Sequence, residues 1–564
     1  MIRSKLLYTL AATAVFCAVT TQTSAQKRSK NQTTDTPAAF TPQRPKLVVG
    51  IVVDQMRYDF LYRYWDKYSE NGFKKLVQQG YNCRNTHYNY TPTYTGPGHA
   101  SIYTGATPAV HGIVGNDWYI CETSSATYCT DDATVKSVGN QSVAGQMSPR
   151  LLLTTTIADE LKLATNQKSK VIGVCLKDRG SIFPAGHTAD AAYWYDGSDG
   201  QWITSTYYRD ALPDWVVKFN NKKLPEKYLS QPWKTLLPVG EYTESTADDV
   251  AWEKPFAGQA KAVFPHDLPK LRGSNYNLLR STPFGNTCTK DIALAAIEGE
   301  KLGQNPVTDF LAVSFSATDY VGHQFGPNSV EAQDTYLRLD GDIAELLAYL
   351  EKNLGKENVL VFLSADHGGA HVPSYMQSLK IPAGTLPYTQ HGDSIRSFMN
   401  RTYGKQNWVL AYENQQIYLD RNLISRKKLS LADVQQRIAE YAQNLKGVSR
   451  AVTANNLATA AQPAGFLQLL QNGHNPRRSG DVYLVLQPGW FEAYDEKMLT
   501  MGSTHGSPYT YDTHVPLIWY GWKVQPGQTS EKVNITDIAP TLADLLHIMQ
   551  PNGCTGKPVS VPVK

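Results

Sequence analysis

Five apolar stretches dominate this chain: "KLVVGIVVDQ" (46–55), "VIGVCLKDR" (171–179), "DFLAVSFSATD" (309–319), "NVLVFLSADHGG" (358–369) and "VPLIWYG" (515–521). A strand apolar on both faces must be covered on both, as in a parallel sheet packed between helices. Helical patterns lie between them, notably "LLLTTTIADELKLAT" (151–165) and "EAQDTYLRLDGDIAELLAYLEKNL" (331–354). The alternation predicts an α/β fold: a mostly parallel central sheet flanked by helices on both faces, with inserted cap segments. One inserted segment, residues 185–285, is rich in Trp, Tyr, Pro and Lys. The other, residues 395–490, carries the helix "LADVQQRIAEYAQNL" and the strand "DVYLVL", and reads as a cap placed before the last core strand. The main domain is expected to span residues 46–560.

The start of the chain reads as an export signal. Arg3 and Lys5 precede a mostly apolar run from Leu6 to Val19, and Thr23-Ser24-Ala25 resembles a small-residue cleavage site. The run is too short and too rich in Thr for a membrane span, which needs roughly 20 apolar residues. Cleavage after Ala25, a linker over 26–45 and a periplasmic or secreted protein without a membrane anchor are the expectation. A net charge of +4 on 564 residues gives no support for nucleic-acid binding. Removing Cys17 with the signal leaves Cys83, Cys121, Cys129, Cys175, Cys288 and Cys554; in an oxidising compartment some can pair, and Cys121 and Cys129 are near enough in sequence to close a hairpin. No CxxC pair suggests a thiolate metal site.

Ligands of open α/β sheets bind beyond the carboxyl ends of strands. This chain places Asp and His there repeatedly: Asp54 after the first run, Asp319 and His323 in "TDYVGHQFG", Asp366 and His367 in "SADHGGAH". The Gly-rich "MGSTHGSPYTYDTHVP" adds His505 and His514. Imidazole mixed with carboxylate suits Zn²⁺. Asp319 and His323 are four apart, so one helical turn brings both to one ion. Adjacent Asp366 and His367 share a metal only if the strand has already ended, which Gly368-Gly369 allows. Three Asp and three His would serve two ions.

A two-metal site needs an attacking group, and "PTYTGPGHASIYTG" (92–105) offers one. Thr95 stands just before Gly96-Pro97-Gly98, and proline suits a first helical turn. At a helix N-terminus, free N–H groups and the dipole favour both an alkoxide and a phosphate. Without the ligand set, Thr95 reads as a cap.

In this order, "VVDQMRYD", "PTYTGPGH", "GNDWY", "KDR", "TDYVGHQFGP", "SADHG" and "THGSP" resemble the alkaline phosphatase superfamily, and within it the exported, phosphate-irrepressible enzymes with a threonine nucleophile. The resemblance runs from about Lys46 to about Tyr520 and is weakest in the two insertions. It implies one zinc on Asp319, His323 and His505, activating the leaving-group oxygen, and another on Asp54, Asp366 and His367, binding the Thr95 oxygen. It also implies that Asn116, Lys177 and Arg179 hold the phosphoryl oxygens. "THG" selects His505 over His514, which becomes structural. The chain departs in one place: Gly-Pro-Gly-His replaces a bulkier apolar pair before Gly-His, which bears on the pitch of the first helical turn.

Lys177 and Arg179 favour a phosphate monoester, whose dianionic end two cations and an amide can hold. Alternation along "VIGVCLKDR" would put both on one strand face. The expectation is a broad-specificity monoesterase with two Zn²⁺ per subunit, acting as a monomer through a phosphothreonine. A phosphodiesterase or nucleotide pyrophosphatase on the same scaffold is the alternative. A zinc- or phosphate-sequestering protein would need no nucleophile, and a carbohydrate role for the aromatic insertion competes with simple packing.

Overall fold

The computed structural model describes residues 43–459 and 461–564. The expected signal segment (1–25) and residues 26–42 of the expected linker lie outside the described residues.

Arg44–Lys564 forms one compact unit around an eleven-stranded sheet. Four of the apolar runs supply its middle: the strands Val359–Ser364, Leu47–Val53, Asp309–Phe315 and Val171–Cys175 are neighbours, and each adjacent pair is parallel. Every residue of these four strands is buried. Helices including Phe284–Glu300 and Val330–Leu354 pack into the same core. The arrangement is the mostly parallel α/β sheet that the apolar runs require.

The sheet continues outward with antiparallel strands. Leu517–Gly521 pairs antiparallel with Val359–Ser364, and Tyr81–His87 lies beyond it. The run at 515–521 is not the last core strand: Gly527–Asn534 follows and pairs parallel with Tyr81–His87. Both added strands are largely polar and partly exposed, so no apolar run announced them. At the other edge, Ala191–Asp196 and Gln201–Ser205 form a hairpin that extends the sheet, so the stretch 185–285 begins as sheet and not as an excursion from it. Its aromatics are core: Trp194, Tyr195, Trp202 and Trp233 are all buried.

Residues 409–486 contain a separate four-stranded antiparallel sheet, in the order Val409–Glu413, Gln416–Leu419, Val482–Leu486, Val448–Thr453. The helices Thr389–Tyr403 and Leu431–Ala442 cover it, and it has its own apolar cluster, including Ile395, Ile417, Ile438 and Val482.

The six cysteines expected in the exported chain are all free thiols. Cys121 and Cys129 cannot close the hairpin because they sit at its opposite ends: Ile120 pairs with Ser125 near the turn, and Asp117 pairs with Tyr128 at the mouth. Cys129 points inward, where a Cβ on Gly96 would meet its sulfur at 3.2 Å.

Candidate active site

Of the ten residues singled out for the site, all but His505 lie at carboxyl ends of sheet strands or in the segments that follow them. Asp54 follows Leu47–Val53 directly, and its N–H donates to the Phe315 carbonyl at 3.0 Å. The fourth run ends as a strand at Ser364, so Asp366 and His367 sit on irregular backbone and can face one point. Asp319 and His323 lie one turn apart on the helix Ala317–Phe325, with His323 Nε2 3.1 Å from Asp319 Oδ1. His505 comes from the loop before Leu517–Gly521.

These residues form two triads whose candidate ligand atoms lie within 4.8 Å of one another: Asp319, His323 and His505, and Asp54, Asp366 and His367. The three imidazoles are held alike. His323 Nδ1 faces the Ser503 carbonyl at 2.8 Å, His367 Nδ1 the Gly368 carbonyl at 2.9 Å, and His505 Nδ1 the Thr93 carbonyl at 2.7 Å. Because a carbonyl only accepts, each Nδ1 carries the proton and each Nε2 presents a lone pair, the tautomer a metal needs. Burial pushes the His367 pKa down to about 3 and also lowers His505, so both rings are neutral at physiological pH. Burial lowers and Asp319 raises His323, with a net rise. Asp319 opposes its own burial through His323 and Lys177 and stays well below the usual carboxylate range. Asp366 goes well above it, through burial and the Asp54 charge beside it.

The donor set fits a pair of cations. Asp54 Oδ1 and Asp366 Oδ2 are buried and accept no hydrogen bond, although such atoms rarely stay unpaired. The charge nearest to them is the Lys177 ammonium, 2.7 Å from Asp54 Oδ2 and 2.6 Å from Asp319 Oδ2, thus one carboxylate of each triad. Mixed imidazole and carboxylate ligands are those of Zn²⁺.

Thr95 is the first residue of the helix Thr95–Thr104. Its Oγ1 lies 3.4 Å from His367 Nε2 and 3.4 Å from Lys177 Nζ. The Gly-Pro-Gly that departs from the family pattern leaves the helix regular, and its second glycine has a steric reason. A Cβ on Gly98 would strike the Asp366 carbonyl oxygen, so only glycine lets this turn lie against the segment that carries Asp366 and His367. Gly96 N–H donates to Asn116 Oδ1 at 2.8 Å, which commits the oxygen of that amide and leaves its NH₂ free to donate.

Lys177 and Arg179 reach the site differently from the strand alternation expected. The strand ends at Cys175; Lys177 is the residue before the helix Asp178–Ala185, and Arg179 is in its first turn. Helical geometry, not pleating, aims them. Arg179 Nη1 donates to the Tyr128 hydroxyl at 2.7 Å. His514 lies away from the triads, on the strand pair with Tyr81–His87, with Nε2 2.9 Å from the Arg84 carbonyl.

Two residues that sequence reasoning left without a role support this site. Gln55, next to Asp54, donates its Nε2 to Asp319 Oδ1 at 2.7 Å and its backbone N–H to Asp366 Oδ1 at 3.2 Å. One residue thus orients a carboxylate of each triad, from a backbone φ of 62°. Gly322 and Gly369 leave room for its side chain. His99 Nδ1 is 2.9 Å from the Thr95 carbonyl and its Nε2 2.8 Å from Ser314 Oγ, which ties the first turn of the Thr95 helix to a core strand. The only sequence signal was position: Gln55 adjoins a ligand, and His99 is one turn beyond Thr95.

Residues 48–508 match the family described as type I phosphodiesterase/nucleotide pyrophosphatase. The chain belongs to that family. It is 48% identical to a protein of Myroides odoratus named a calcium-transporting ATPase, over 92% of this chain and 94% of that one. It is 46% identical to the alkaline phosphatase PhoV of Synechococcus elongatus, over 95% and 96% of the two chains. It is equally similar, at 46%, to the alkaline phosphatase PafA of Elizabethkingia meningoseptica, over 92% and 94%. The crystal structure of wild-type PafA superimposes with a TM-score of 0.90 at 44% identity, covering 93% of this chain and 100% of that one.

Proposed function

We propose that this family member is an exported, zinc-dependent phosphate monoester hydrolase of broad specificity, working as a monomer through a phosphothreonine on Thr95. The observation that carries the reading is the grouping at Thr95: a hydroxyl at a helix N-terminus, 3.4 Å from His367 of one Asp/His triad, with the Lys177 ammonium that touches both triads 3.4 Å away and the Asn116 NH₂ left free. Its near relatives named as alkaline phosphatases support it.

Asp54, Asp366 and His367 would hold one zinc, and Asp319, His323 and His505 the other. Zinc in such a pair supplies Lewis acidity to the attacking and departing oxygens. The chain's own residues do the rest. The helix N-terminus favours both a negative Thr95 oxygen and the phosphoryl group it attacks. Phosphoryl transfer spreads charge over three equatorial oxygens, so fixed donors count for most. Asn116 donates through its NH₂, and Lys177 and Arg179 add charge. His99 and Gly98 keep Thr95 in place while its oxygen forms the bond to phosphorus and the ester oxygen leaves. Hydrolysis of the phosphothreonine then returns the hydroxyl.

The clamp favours a monoester over the diester in the family's name. A diester replaces one charged oxygen with an ester group, leaving one of the two cations unpaired beside it. The terminal phosphate of ATP has the same dianionic end as a monoester, so ATP hydrolysis lies within this reading. No helix among the described residues is long and apolar enough to cross a membrane.

The test is kcat/KM of the zinc-loaded protein for an aryl phosphate and for the matching methyl aryl diester, before and after Arg179→Ala. The reading expects a strong monoester preference that Arg179→Ala narrows. A diester preference that Arg179→Ala leaves unchanged returns the chain to the phosphodiesterase alternative.

A further inference from the structure

We infer that a second anion-binding subsite, built on Arg280, adjoins the phosphoryl clamp and favours monoesters whose leaving group bears its own oxyanion. The inference rests on the monoesterase reading above. A cavity of about 190 Å³ is lined by Lys177, Arg179, Arg280, Tyr320 and Trp194, and Asp178 is the one acid in its wall. Lys177 is paired with Asp54 and Asp319 and the phosphoryl clamp uses Lys177 and Arg179, so Arg280 is the cation of this wall left without an assigned anion.

Arg280 is built in and held ready. It belongs to the short 3₁₀ turn Asn277–Ser281. Its Nη2 donates to the Tyr195 carbonyl at 2.7 Å and its Nη1 to Asn277 Oδ1 at 3.1 Å. The guanidinium also lies 5.5 Å from the centre of the Tyr195 ring. All of these partners are neutral. A fixed guanidinium met only by neutral acceptors keeps its affinity for an anion, and little side-chain freedom is lost on binding one. The Nε atoms of both Arg280 and Arg179 are buried without a hydrogen-bond partner. Asp178 faces the other way in part: its Oδ1 accepts from the Tyr128 and Thr130 hydroxyls at 2.7 and 2.8 Å, and its charge acts on Arg179 rather than pairing with Arg280. At the other end of the cavity, Lys177 is tied to Asp54 and Asp319 and within reach of Thr95. The cavity wall thus joins Lys177, whose ammonium is 3.4 Å from Thr95 Oγ1, to a fork that the reaction itself leaves unused. A carboxylate or second phosphate on the leaving group is the chemistry that fork accepts.

The test compares phenyl phosphate with 3-carboxyphenyl phosphate on the zinc-loaded protein and on its Arg280→Met and Arg280→Lys variants. Arg280→Met is expected to lower kcat/KM for the carboxylated substrate about ten- to a hundredfold, the range for one charged hydrogen bond, mostly through KM. Phenyl phosphate stays nearly unchanged, and Arg280→Lys falls between. In the unaltered protein, added salt weakens the carboxylated substrate more than the plain one, a readout that needs no folded variant. Equal losses on both substrates make Arg280 a structural residue and overturn the subsite, as does the absence of any salt-sensitive preference. No turnover of either monoester sinks the monoesterase reading and the subsite with it.

Discussion

Replacing Gln55 by glycine separates the two halves of the site. The backbone N–H that reaches Asp366 Oδ1 survives the change, while the side-chain NH₂ that holds Asp319 Oδ1 at 2.7 Å is lost. A hydrogen bond to a charged group contributes about 1.5–3 kcal/mol. Against that, Gln55 sits at φ 62°, where a side chain costs roughly 1–2 kcal/mol that glycine does not incur. The folded protein is therefore expected to change little in overall stability. The loss falls on one carboxylate. Removing a group that orients a metal ligand typically weakens metal binding by about 10–100-fold. Chelator-competition titration of zinc into the variant is expected to show that loss at the site of Asp319, His323 and His505, with the site of Asp54, Asp366 and His367 nearly intact. Thermal denaturation of the metal-free protein provides the control. Equal weakening of both sites, or no weakening of either, would refute the role given to Gln55.

Other consequences are equally specific. Gly98→Ala drives a methyl into the Asp366 carbonyl, so overpacking of about 1–3 kcal/mol outweighs the roughly 1 kcal/mol that alanine adds to a helix; denaturant melts are expected to show a net loss, and the rate to fall with it. Asn116→Asp keeps the acceptor for Gly96 N–H but replaces the free NH₂ with a negative oxygen; kcat/KM for an aryl phosphate is expected to fall more than in Asn116→Ala, and the reverse order counts against Asn116 as a phosphoryl donor. Burial pushes the His111 pKa down to about 3 from an ordinary 6.5, and the neutral ring accepts from Ile113 N–H and faces Ser101 Oγ. Unfolding lets it bind a proton, so its contribution is complete above pH 6.5 and lost as pH falls, by about 2 kcal/mol at pH 5. Denaturation at pH 7 and pH 5 is expected to show this slope diminished in His111→Gln.

The chain announces its fold through buried strands and conceals it where the sheet meets water. Residues 47–53 are apolar throughout and 310–313 form an apolar run because helices cover both faces, and a continuous run is the direct mark of that burial. The strand Tyr81–His87 has mixed burial and Gly527–Asn534 is mostly exposed, so neither needed an apolar face, and their polar sequences looked like loop. The two Asp/His triads were legible for a related reason: Asp and His recur where buried strands end, and few structural needs put them there. Lys177 and Arg179 were read onto the wrong element, because the strand's apolar pattern stops at Cys175 and only the backbone shows that a helix begins at Asp178. Gln55 showed only its place beside Asp54, and Arg280 gave no sign. Their roles depend on partners hundreds of residues away for Gln55, and on a cavity wall for Arg280, and neither leaves a local pattern.

The covalent step is the centre of this account, and trapping it is the most direct test. The zinc-loaded protein would be mixed with an aryl phosphate, quenched in acid within a turnover, digested and sequenced by mass spectrometry. One phosphate on Thr95, absent when Thr95→Ala is treated alike, is the expected result. Hydrolysis at full rate with Thr95 unmodified, or with Thr95→Ala still active, would contradict it and make direct attack by water the better description.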